Sequence, residues 1–221
     1  MTLKNICLWG DSIGKGVVFD EQRKRYAICR ESCAAMLSQI ATLRNFSVMG
    51  QTTREGLARM KTADIAPNDV IAIEYGGNDC DLDWKSAAEH PDVSQYGKVP
   101  IDEFADNLTE MIQIARGAGA EPMLVLPPPI LSQRFFNWVS RGLNAAGILK
   151  YLGDTEAIYR WQAGYADRVR ETAAAANVPL IDIRTPFMNA ASIDSLYCID
   201  GMHPNAEGQR TIFDAIRKYI P

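Results

Sequence analysis

Histidine is almost missing from this chain: only His90 and His203 occur in 221 residues. Any chemistry that needs an imidazole base must use one of these two. Cysteine is present but not organised. Cys7, Cys29, Cys33, Cys80 and Cys198 are odd in number and contain no Cys-x-x-Cys pair, so neither a disulfide framework nor a structural zinc site is indicated. Cys29 and Cys33 would share a helix face, which suits packing, and the five read as free thiols in a reducing compartment. No cluster of His, Cys and carboxylate has zinc-ligand spacing, so no metal and no organic cofactor are expected. Basic charge is not in excess either. The formal net charge is −4 and no basic patch stands out, which argues against nucleic acid as a partner. No apolar run approaches the ~20 residues that span a bilayer, so no membrane association is expected. The N-terminal residues lack the pattern of a secretion signal, and the cytoplasm is the expected location.

What the chain does contain is an ordinary globular composition, 47% hydrophobic and 23% charged, enough for a sizeable core. The length suits one α/β domain over residues 1–221, with elaborated loops near 80–100 and 127–153. Apolar runs of strand length fall at residues 5–9, 43–49, 70–75, 123–126 and 179–183. The run Val70-Ile71-Ala72-Ile73 is nearly continuous and rich in β-branched residues, as in a strand covered on both faces. Helical spacing separates the runs. Ile101, Phe104, Leu108, Met111, Ile112 and Ala115 follow the three-four rhythm, residues 155–176 read as a long helix, and Ile212, Phe213, Ile216 and Ile220 mark a C-terminal one. Strands alternating with helices indicate a parallel sheet.

In such sheets ligands bind beyond the C-terminal ends of the strands, so the residues there carry most weight. The first strand is followed by Gly10-Asp11-Ser12-Ile13, the second by Gly50, and the third by Gly76-Gly77-Asn78-Asp79. Near the C-terminus stands Asp200-Gly201-Met202-His203-Pro204. A serine hydroxyl becomes a good nucleophile only beside a base, usually an imidazole oriented by a carboxylate. Ser12, His203 and Asp200 are the parts of such a device. Taken together and in this order, the four blocks resemble the GDSL, or SGNH, hydrolases, a family named for a serine, a glycine, an asparagine and a histidine in separate blocks.

The resemblance implies a serine hydrolase of carboxyl esters. Its expected fold is a three-layer α/β/α, flavodoxin-like sandwich with a five-stranded parallel sheet in the order 2-1-3-4-5. Ser12 would be the nucleophile, His203 the base and Asp200 its orienter. The backbone N–H groups of Ser12 and Gly50 and the side-chain amide of Asn78 would form the oxyanion hole, while Asp11 and Asp79 would organise the loops. Trp84, Phe135, Phe136 and Trp138 lie in the long loops and are candidates for a substrate pocket. Few aliphatic residues occupy residues 80–100, which favours a short-acyl ester, an acetylated sugar included, over a thioester or lysophospholipid. Ile148, Leu149, Tyr151 and Leu152 could instead close a homodimer. His90, beside Pro91, reads as a solvated loop residue. The competing class is a phosphate-accepting receiver module, with Asp11 and Asp79 as its acids. A lysine usual after the fifth strand of such modules is replaced here by Arg184.

Overall fold

The computed structural model describes residues 5–219, so Ile220 of the expected C-terminal helix lies outside them. In chain order the elements are β1 (Asn5–Gly10), α1 (Ser12–Lys15), β2 (Val17–Asp20), β3 (Arg25–Ile28), α2 (Cys33–Leu37), β4 (Thr42–Asn45) and α3 (Thr53–Met60). They continue with β5 (Val70–Glu74), α4 (Trp84–Glu89), α5 (Ile101–Gly117), β6 (Glu121–Leu126), α6 (Ser132–Val139), α7 (Ala145–Leu152), α8 (Ala157–Ala176), β7 (Leu180–Asp182), α9 (Arg184–Met188) and α10 (Ala206–Ile216).

Five strands form one parallel sheet in the order β4-β1-β5-β6-β7. Counting only those strands along the chain, this is the expected order 2-1-3-4-5. Successive side chains of a strand point to opposite faces, and the core divides accordingly. Cys7, Trp9, Ile71, Ile73, Leu124 and Leu126 face a cluster completed by α3, α5 and α8. Their sequence neighbours Leu8, Ala72 and Val125 face a second cluster with α2, α9 and α10. Each large apolar side chain so buried contributes roughly 1.5–3 kcal/mol. The sheet is therefore held between two helical layers, and its C-terminal rim is free to carry loops.

Three local features differ from the expectation. Regular pairing of the second strand ends at Asn45 rather than 49, where Asn45 Oδ1 accepts the N–H of Ser47, although Phe46 and Val48 still donate to the Leu8 and Gly10 carbonyls of β1. The two long loops contain helices: α4 in the first, α6 and α7 in the second. A small antiparallel hairpin, β2–β3, also lies between the first strand and the second, pairing Val17 with Ile28 and Phe19 with Tyr26.

Candidate active site

Ser12 is placed by the end of β1. At Gly10 an added Cβ would meet the carbonyl oxygen of Glu74 at 2.8 Å, so only glycine lets the two strand ends lie this close. Asp11 then caps α1, its Oδ1 accepting the N–H of Ile13 at 2.9 Å. Ser12 follows, at the first helical position. Its Oγ lies 2.9 Å from His203 Nε2. On the other side of the ring, Nδ1 lies 2.7 Å from Asp200 Oδ2. Asp200 Oδ1 accepts the backbone N–H groups of Met202 and His203, each at 3.0 Å. Burial pushes the Asp200 carboxyl up, but the bond from His203, helped by the two loop amides, outweighs this and holds it below the ordinary carboxylate value. An ionised carboxylate can only accept, so Nδ1 carries the proton, Nε2 is bare, and the Ser12 hydroxyl donates to it. The three residues are 6%, 2% and 0% exposed for Ser12, His203 and Asp200, so water competes little for these bonds.

The loop that carries the Asp and His is closed on itself. Cys198 donates to the His203 carbonyl at 2.9 Å, and Gly201 donates to Cys198 at 3.1 Å. Gly201 has φ +71° and lies against the start of α6, where Leu131 donates to its carbonyl at 2.8 Å. The hairpin supports the same loop. The Tyr26 ring packs on the His203 ring with centroids 4.9 Å apart, and Phe19 donates its N–H to Cys198 Sγ at 3.3 Å.

Across the rim, the Asn78 amide donates to Asp11 Oδ2 at 3.0 Å and to the Gln51 carbonyl at 3.3 Å. Asp79 Oδ1 accepts both the N–H and the hydroxyl of Thr53, at 2.8 and 2.5 Å, tying the loop after β5 to the start of α3. Gly50 has φ +79°, is exposed, and has no heavy atom within 4 Å of where a Cβ would sit. Three acids lie buried beneath this rim. Burial, against the pull of the Thr53 bonds, raises Asp79 to about 7. Burial likewise raises Asp11, and raises Glu74 well above the usual range with the Asp11 charge adding to it. Among the described residues no side-chain partner satisfies either Glu74 oxygen. Among the described residues no group of three or more His, Cys, Asp or Glu could hold a metal ion.

Beside Ser12 and Asn78 opens a cavity of about 70 Å³, walled by apolar side chains that include Leu82, Trp84, Phe135, Ile158 and Trp161. Trp84 and Phe135 meet edge to face within it, with centroids 5.7 Å apart. The other two aromatic candidates lie apart from this cavity. Phe136 is absent from the cavity wall, and Trp138, further along α6, packs instead on Phe19 and Tyr26 of the hairpin. Of the residues named for a homodimer contact, Ile148 is wholly buried within the chain, Leu152 lines the cavity and Leu149 is exposed. His90 is exposed at the end of α4, and the five cysteines are free thiols. Arg184 is buried, donates to Gln162 Oε1 at 2.8 Å and to the Pro127 carbonyl at 3.4 Å, and so ties the start of α9 to α8 and to the loop after β6.

Sequence reasoning missed Tyr26, Gln51, Thr53 and Glu74. Thr53 had a signal, since Thr52 and Glu55 form a capping box that fixes where α3 starts. Glu74 had one too, as an acid ending a strand that is otherwise apolar. Tyr26 had none, because the hairpin that carries it was not recognised.

The family model described as GDSL-like Lipase/Acylhydrolase matches residues 8–211. A mouse protein, isoamyl acetate-hydrolyzing esterase 1 homolog, is 23% identical over 148 residues, which cover 65% of this chain and 52% of that protein. The chain thus spans about half the length of that curated relative. Among solved structures, a lipase/acylhydrolase from Enterococcus faecalis superposes with TM-score 0.68 at 22% identity, covering 99% of this chain and 95% of the other. An acetylxylan esterase from Geobacillus stearothermophilus, solved as a catalytic mutant, superposes with TM-score 0.66 at 18% identity, covering 99% and 94%. At such identities the structural likeness is one of fold. The family match over nearly the whole chain goes further, and it places this protein in the GDSL-like lipase/acylhydrolase family.

Proposed function

We propose that this protein is a serine esterase that hydrolyses small carboxyl esters with short acyl groups. The observation that carries the reading is the unbroken series Ser12 Oγ, His203 Nε2, His203 Nδ1 and Asp200 Oδ2, with spacings of 2.9 and 2.7 Å. In the proposed reaction His203 takes the Ser12 proton as Oγ attacks the ester carbonyl, then returns it to the leaving alcohol. Asp200 keeps the ring oriented and offsets its charge. Water repeats the sequence on the acyl-enzyme. The negative oxygen of the tetrahedral intermediate would be met by the N–H groups of Ser12 and Gly50 and by the Asn78 amide, each such donor contributing on the order of 3 kcal/mol. The amide is the one donor that must be shared. Its longer bond, 3.3 Å to the Gln51 carbonyl, is the one an oxyanion would displace.

The acyl preference rests on the cavity. A dry apolar site that accepts benzene has a volume of about 150 Å³. About 70 Å³ beside Ser12 therefore suits acetyl to butyryl groups. An isoamyl acetate-hydrolyzing relative and an acetylxylan esterase of like fold agree with acetyl transfer to water. The leaving alcohol, an acetylated sugar among others, is for a panel to find. The test is kcat/KM on p-nitrophenyl acetate, butyrate, octanoate and palmitate below their micelle concentrations, beside acetylated oligosaccharides and acyl-CoA. Acetate and butyrate should lead. A rise from acetyl to octanoyl would favour a thioesterase or lysophospholipase instead. Ser12→Ala should lower ester hydrolysis by roughly 10³-fold or more with the fold intact, and a variant keeping a tenth of the activity would refute the nucleophile.

A further inference from the structure

Three side chains that wall the Ser12 cavity also wall a second one. Leu82, Leu152 and Trp161 line both. The outer cavity is larger, about 290 Å³, and is completed by residues 91–94 with Tyr151 and Ala157. These shared side chains stand between the two spaces. We propose that Leu82, Leu152 and Trp161 form a partition that sets the acyl-chain length, with the outer cavity as the room a longer chain would enter if the partition were thinned. The inference rests on the esterase reading.

The layer is built to stay shut. Trp161, whose outer edge is exposed, is held by two contacts: Nε1 donates to the Cys80 carbonyl at 2.7 Å, and the ring packs on Tyr165 with centroids 5.9 Å apart. Leu82 is buried. Leu152 is the last residue of α7, which is locked to α4 at Gly147. An added Cβ there would lie 2.2 Å from the Ala88 carbonyl oxygen. A wall held by helix packing and a hydrogen bond excludes a chain by volume rather than by occasional closure. The site's layout also says which half of the ester meets it. The leaving oxygen must lie at His203 Nε2 to be protonated, yet His203 takes no part in the cavity wall, whereas Asn78 and Gly77 do. The acyl group therefore enters the cavity and the alcohol departs on the His203 side.

Leu152 is the residue to change, because it is half-buried and at a helix end, so its truncation disturbs the core least. Leu152→Ala and Leu82→Ala should each join the two spaces. Each methylene newly buried gains roughly fourfold in kcat/KM. The 221-residue chain is assayed on p-nitrophenyl acetate, butyrate, hexanoate and octanoate, and in parallel on acetate esters of ethanol, butanol and hexanol. The ratio of octanoyl to acetyl kcat/KM should rise at least tenfold over the wild type in both variants, while the ratio of hexyl to ethyl acetate shifts less than twofold. Leu152→Trp should do the opposite and lower the butyryl to acetyl ratio. Wild-type acetyl hydrolysis that Ser12→Ala abolishes secures the esterase reading separately. With that in hand, unchanged acyl ratios in all three variants, or a shift confined to the alcohol series, would overturn the partition. Wild-type protein without Ser12-dependent hydrolysis would remove the reading and the partition together.

Discussion

One proton decides what His203 can do. With Asp200 ionised and 2.7 Å from Nδ1, the ring must leave Nε2 bare toward Ser12. Asp200→Asn keeps the shape and can still accept the two loop N–H groups at Oδ1. Its amide then faces Nδ1 with a donor, which turns the ring to the other tautomer and puts a hydrogen between Nε2 and the serine. By analogy with other triads, kcat should fall about 10⁴-fold, with little change in thermal midpoint. Activity within tenfold of wild type would show that the carboxylate does not set the tautomer. At this scale the sequence was readable wherever chemistry and position coincide. Ser12, Asn78, Asp200 and His203 sit in short blocks at the C-terminal rim, and rim positions are where a parallel sheet puts its ligands. Tyr26 was unreadable because a tyrosine in a polar stretch carries no mark of the ring it will pack against.

At the scale of elements, the parallel strands were legible because their apolar runs alternate between two covered faces. The hairpin was hidden by its turn. Residues 21–24 read Glu-Gln-Arg-Lys, with no Gly or Asn to announce a reversal. The turn is made instead by Asp20, whose Oδ1 accepts the N–H groups of Gln22 and Arg23, and by Lys24, which takes a left-handed φ of +51°. The helices inside the two long loops were missed for another reason: each is eight residues or shorter, about two turns, too few for periodicity to stand out. The loop of residues 197–204 offers a sharper test of how elements hold the site. Gly201 has φ +71°, and an added Cβ would meet Arg134 Cβ at 2.6 Å, the Phe135 nitrogen at 2.8 Å and the Leu131 oxygen at 2.9 Å. Two of those neighbours are backbone and cannot step aside. Gly201→Ala should lower unfolding free energy by about 1–4 kcal/mol, and kcat with it, since the Asp200–His203 pair rides on this turn. Gly117→Ala is the contrast: at the end of α5, with nothing within 4 Å of its Cβ, it should be neutral or stabilising by up to about 1 kcal/mol. Urea unfolding of both variants gives the comparison, and equal effects would mean that Gly201 is not pinned against α6.

For the molecule as a whole, the buried acids set how stability follows pH. Asp11, Glu74 and Asp79 lie beneath the rim with their carboxyl groups raised by burial, Asp79 to about 7. A raised carboxyl binds more protons folded than unfolded, so its contribution is complete below the unfolded value and is lost as pH climbs through the folded one. Asp200 acts the other way. Its carboxyl is held low, so its contribution is present above the ordinary carboxylate value and is lost as pH falls below it. Between those limits the raised group of three dominates, and stability should decline steadily from about pH 5 to pH 8. For Asp79 the span from 3.8 to about 7 corresponds to an upper limit of roughly 4 kcal/mol at ~1.4 kcal/mol per unit. Asp79→Asn isolates that share. The amide oxygen can still accept from Thr53, while the ionisation is gone, so the decline with pH should become visibly shallower. Unfolding free energies from urea titrations at pH 5, 6, 7 and 8 measure both slopes. A wild type whose stability is flat or rises over that range, or a variant with an unchanged slope, would mean that Asp79 ionises without strain in the folded protein. The pair of Thr53 bonds would then outweigh its burial.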